Sequence, residues 1–80
     1  MSRLVLFARA REAAGRKSDD IDAPTLGELL DKAVETYGPE FGAVLEISRV
    51  WVNGNEPTDG RSTSVGPNDE VAVLPPVSGG

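Results

Sequence analysis

Glu70-Val71-Ala72-Val73-Leu74-Pro75-Pro76-Val77-Ser78-Gly79-Gly80 reads as two things in succession, a strand and then an arm. Val71 and Val73 face one way and Ala72 and Leu74 the other, so the strand is apolar on both faces, as strands in the middle of a sheet are. Pro75 and Pro76 end it. Each fixes φ near about −65° and presses the residue before it toward extended geometry, so the arm is expected to leave the sheet already pointing outward. Glycine has no Cβ, and a Gly79-Gly80 end can lie extended in a channel too narrow for a side chain. The expectation is a folded domain over 1–76 and a flexible tail over 77–80, with Gly80 as the residue that carries chemistry.

A second two-faced strand stands at the other end of the chain. In Arg3-Leu-Val-Leu-Phe-Ala8, Leu4, Leu6 and Ala8 share one face and Val5 and Phe7 the other, which again suits a central position. Arg9 to Ala14 is rich in Ala, Arg and Glu and stops at Gly15, predicting one or two helical turns with a glycine cap. Lys17 to Ile21 is short and acidic, fit for an edge strand.

Thr25 with Glu28 three residues on is a capping-box signature after Pro24. From there Leu26, Leu29, Leu30, Ala33, Val34 and Tyr37 recur with the helical period, and Glu28, Asp31, Lys32 and Glu35 occupy the opposite side. Gly38-Pro39 stops this helix. Phe41, Val44 and Leu45 suggest a further turn or an ordered loop. Arg49 to Val52 is a strand running into Asn53-Gly54, the pair best suited to a type I′ hairpin turn because both positions need φ > 0. Trp51 reads as a packing residue. Glu56-Pro57 makes a short return, Thr58 to Thr63 a polar loop, and Gly66-Pro67-Asn68-Asp69 a turn.

One main helix over a mixed sheet of four to five strands buries these faces most economically, an α+β arrangement. The natural candidate is a β-grasp, in which the first and last strands lie parallel and adjacent in the middle.

The composition narrows the function classes. At 80 residues there is one domain, and a chain this short buries only about 60% of the surface its unfolded form exposes. With no cysteine and no histidine there is no disulfide, no thiol nucleophile, no ordinary zinc site and no imidazole base. The apolar run Leu4 to Ala8 is shorter than the about 7 to 15 residues of a signal sequence or the about 20 of a membrane helix, so the expectation is a cytoplasmic protein with no membrane partner. A net charge of −5 opposes phosphate backbones, and nucleic acid is not expected. The charge is uneven: five bases against Glu12 alone leave the first 17 residues at +4 and the remainder at −9, a candidate protein-docking edge.

At neutral pH an α-carboxyl is ionised and a poor electrophile, so Gly80 needs activation, for which an acyl-adenylate from ATP is the standard solution. The chain has no Gly-rich phosphate loop ending in Lys-Ser or Lys-Thr. ATP is therefore expected to be used by a partner. This chain would hold no cofactor or metal and would have no catalytic residue of its own.

Leu6-Phe7-Ala8-Arg9-Ala10-Arg11-Glu12, the Thr25 to Leu30 helix opening, Val52-Asn53-Gly54 and the whole of Asp69 to Gly80 together resemble the ubiquitin-like sulfur carriers of the β-grasp fold, most closely the small subunits of molybdopterin synthase. Pro-Pro-Val-Ser-Gly-Gly after an apolar strand is the most specific part. The resemblance implies that an adenylating enzyme related to the ubiquitin activators adenylates Gly80 and that a sulfur donor protein converts it to a thiocarboxylate. It further implies that the tail then enters the large synthase subunit and gives its sulfur to a pyranopterin precursor of the molybdenum cofactor. Gly79 and Gly80 would be the modified tail, and Phe7, Arg11, Leu74, Pro75, Pro76 and Val77 the partner-binding residues. Phe7 and Leu74 read equally as core residues and Arg11 as a solvated charge. Thiamine or cysteine biosynthesis, conjugation to lysines of other proteins, and a plain interaction module remain open beside it.

Overall fold

The computed structural model describes residues 1–76, so the expectations for Val77, Gly79 and Gly80 lie outside the described residues. Along the chain run β1 (Ser2–Leu6), α1 (Ala8–Ala14), β2 (Ser18–Ile21), α2 (Leu26–Tyr37), α3 (Pro39–Glu46), β3 (Arg49–Val52), a 3-10 turn (Gly60–Ser62) and β4 (Glu70–Leu74). The two strands with apolar residues on both faces take the centre. Sheet order is β2-β1-β4-β3, with β1 and β4 parallel and both outer pairs antiparallel. This is the β-grasp arrangement, with four strands among the described residues.

The helical stripe of α2 lies where its period put it. Leu26, Leu29, Leu30 and Ala33 are buried in one cluster with Leu4, Leu6, Val71 and Val73 from the central strands. Each of these Leu and Val side chains contributes about 1.5 to 3 kcal/mol on leaving water. Thr25 caps the helix, its hydroxyl oxygen accepting the Glu28 N–H at 3.3 Å while its O–H donates to the Glu28 carboxylate at 3.1 Å. Tyr37 ends the stripe with its ring edge-on to Phe41, 5.1 Å between centroids. Its hydroxyl donates to Asp19 on the edge strand at 2.6 Å, while the Arg16 guanidinium covers its ring and pairs with the same carboxylate.

Three local readings are corrected. Phe41 to Leu45 belongs to a full helix, because Pro39 at its start has no N–H to lose and a φ already set for helix. Ala8 does not share the strand face of Leu4 and Leu6: β1 stops at Leu6, and the backbone turns through φ +48° at Ala8 into α1. Glu56-Pro57 forms no return strand. Asn53 and Gly54 make the expected hairpin turn, with φ +52° and +80°, but pairing ends at the single Val52–Asn55 bridge, and Pro57 has no N–H to extend it.

The long segment from Asn55 to Asp69 is fastened to the start of α2. Leu26 N–H donates to Thr63 O at 2.8 Å, Val65 N–H donates to Pro24 O at 3.1 Å, and the Arg61 guanidinium donates to both Gly27 O and Asp31. Val65 is buried. All three helices contribute to the buried cluster, Ala10 from α1 and Phe41 and Val44 from α3 joining α2.

Candidate functional site

The outward alternation of the sheet assembles a second apolar surface. On β4, Ala72 and Leu74 point away from the core that holds Val71 and Val73, and both are half-buried. Register places Val5 and Trp51 on either side of Ala72, in one row across three strands, and sets Arg49 opposite Leu74. Phe7 continues β1 in extended geometry, its N–H donating to Val73 O at 3.3 Å. One step past the Leu6–Val73 pair, it comes level with Leu74. Phe7 is 45% exposed and Trp51 38%. Aromatic side chains left this open, next to half-buried aliphatic ones, form the kind of patch that marks an interaction surface.

Charged residues border this surface. Arg3 stands between Asp20 on β2 and Glu70 on β4 at the end away from the tail. At the other end are Arg49 and, one helical turn beyond Phe7, the exposed Arg11. The exposed Ile47 lies two residues before β3.

The alternation of β4 runs one residue past the strand. Pro75 is buried in line with Val71 and Val73, and Pro76 is exposed. Pro75 is thus part of the packed domain, because its position in the alternation faces the core, and the accessible arm starts at Pro76. Phe7, Leu74 and the departure point of the tail are brought together at one end of the sheet. Arg11 lies next to them on α1. Trp51, read from sequence as a packing residue, belongs to this face instead. The signal was available in β3 itself, since Val50 and Val52 pack on the core and leave Trp51 on the other side.

Among the described residues, no group of three or more Asp and Glu side chains is placed to hold a metal ion, and no helix is long and apolar enough to cross a membrane. The shifted titrations lie away from the apolar face. Asp19 is held below the usual carboxylate range chiefly by the Tyr37 hydroxyl, and Asp69 chiefly by the Asn53 amide. Burial, followed by the hydrogen bond to Asp19, raises Tyr37.

A model of the ThiS family matches residues 4–80. The chain belongs to this family. Among its relatives is the molybdopterin synthase sulfur carrier subunit of Dictyostelium discoideum, 35% identical over 98% of this chain and 94% of that protein. Small archaeal modifier protein 3 of Haloferax volcanii is 36% identical over 96% of each. The crystal structure of SAMP1 from Haloferax volcanii superposes with a TM-score of 0.84 at 29% identity, covering 99% of this chain and 98% of that one. These likenesses span the whole domain, and the β-grasp is the fold it shares with them.

Proposed function

We propose that this ThiS-family chain is a sulfur carrier whose Gly80 is adenylated, converted to a thiocarboxylate and used to deliver sulfur to a pyranopterin precursor within molybdopterin synthase. The observation that carries the reading is the family match extending to residue 80, on a domain whose uncovered apolar face lies beside the point where the tail departs. The chemistry follows from the carboxylate. An oxygen of Gly80 attacks the α-phosphorus of ATP in an activating enzyme, pyrophosphate leaves, and sulfide released by a donor protein then attacks the acyl carbon, breaking its bond to AMP and leaving the thiocarboxylate. Phe7, Leu74 and Trp51 anchor the partner, Arg11 lies at the rim, and Pro76 and Val77 lead the tail into a narrow channel that Gly79-Gly80 can thread. ATP belongs to the activating enzyme, as nothing in this sequence resembles a phosphate loop.

The acceptor is supported by the name of the Dictyostelium relative. A second reading, conjugation of Gly80 to lysines, is favoured by the archaeal modifier relative. The two differ in what attacks the activated glycine, a sulfur or an amine. The test is to incubate the chain with its cognate activating enzyme, ATP and sulfur donor, then with the large synthase subunit and the pyranopterin precursor. Sulfur appearing in the pterin product supports the carrier reading. Lysine-linked conjugates without sulfur transfer would replace it by the modifier reading.

A further inference from the structure

Asn53-Gly54 makes the hairpin turn, and it is also a reactive pair. An asparagine followed by glycine cyclises readily, because no side chain on the next residue shields the backbone nitrogen. Both residues are exposed, so water reaches them. Yet the Asn53 side chain is held at both ends. Its Nδ2 donates to Asp69 Oδ1 at 2.9 Å, and its Oδ1 accepts the Glu70 N–H at 2.8 Å. The Asp69 carboxylate is itself fixed, its other oxygen accepting the Gly66 N–H at 2.8 Å.

We propose that Asn53 is a deamidation site held in check by Asp69, and that releasing this clip commits the turn to a negatively charged form. The Gly54 nitrogen attacks Cγ of Asn53 and the Cγ–Nδ2 bond breaks. The proton from Gly54 leaves with the amide nitrogen as ammonia, and a cyclic imide remains. Water then opens the ring at either carbonyl, giving aspartate or isoaspartate at position 53. Cyclisation needs the side chain to swing away from Asp69 and Glu70, so both hydrogen bonds must break first. Afterwards a carboxylate replaces the donor that faced Asp69, and two like charges meet where an amide joined the hairpin to the start of β4. A turn also loses its fit when isoaspartate lengthens its backbone. The site sits at the base of the strand that leads to the tail, at the end of the sheet far from the tail's departure point.

The experiment incubates the folded full chain at mildly alkaline pH and follows position 53 by peptide mass spectrometry. Loss of a hydrogen bond to a charged acceptor predicts that Asp69→Ala deamidates on the order of tenfold faster than wild type, with Asp69→Asn, a neutral acceptor, in between. Melting curves on each variant separate release of the clip from global unfolding. Equal rates in the three folded proteins, or a wild-type chain as fast as an unstructured peptide of the same local sequence, would overturn the proposal. Asn53→Asp tests the consequence. It should melt below wild type at neutral pH, by a margin that shrinks as the carboxylates protonate, and an unchanged melting temperature would refute the charge clash.

Discussion

At Trp51 the alternation of one four-residue strand decides between packing and docking. Val50 and Val52 turn to the core, and Trp51 is left beside Ala72, in one row with Val5 on the open side of the sheet. Its exposed ring is a large, rigid contact that loses little entropy on binding. Trp51→Ala is therefore expected to weaken partner binding by about 2 kcal/mol or more. Its effect on stability should stay well below the about 3 to 5 kcal/mol of a buried aromatic. Calorimetric titration into the activating enzyme, beside a thermal melt, checks both. A folded variant that binds normally would remove Trp51 from the interface. The same pair of measurements on Phe7→Ala decides whether the residue capping β1 acts as an anchor.

The elements are joined at their edges by carboxylates, which gives the fold an acid dependence. Asp19 ties β2 to the end of α2 through Tyr37, and also accepts the Asp20 N–H on the outer strand. Asp69 ties the hairpin to the turn before β4. Both have depressed values in the folded chain. The unfolded chain thus takes up protons first as pH falls. Their stabilisation is fully present above the unfolded carboxylate range of about 3.9 and is lost as pH drops through the lower folded values. Tyr37 runs the other way: its raised value favours the neutral phenol, so its contribution holds below about pH 10 and fades above it. Melting temperature should fall on the acid side, and Asp19→Asn should flatten part of that fall. An acid limb unchanged in this variant would show that the Tyr37–Asp19 link adds nothing.

Across the whole molecule, what could be read from the sequence was local or symmetric. The stripe from Leu26 to Tyr37 and the cap at Thr25 depend on residues a few positions apart. The central placement of β1 and β4 followed from two strands apolar on both faces, and their parallel pairing came with the β-grasp candidate. Asn53-Gly54 specified its own turn. What escaped depends on neighbours far along the chain. Pro75 is buried because it continues the inward alternation of β4, which its residue type does not reveal. The polar segment around Arg61 is fastened only once α2 provides Gly27 O and Asp31. On the open face, Phe7 and Leu74 read from sequence as interface or core alike, and Trp51 as packing although the alternation of β3 already sets it opposite Val50 and Val52. The ThiS-family match runs through to residue 80, on which the proposed tail chemistry is centred. The most direct measurement is the intact and fragment mass of the chain after incubation with its cognate activating enzyme, ATP and sulfur donor. The account predicts replacement of one terminal oxygen by sulfur, on Gly80 alone, and none in a chain lacking Gly80. An unchanged mass under conditions that sulfurate a known carrier, or sulfur found on any other residue, would contradict it.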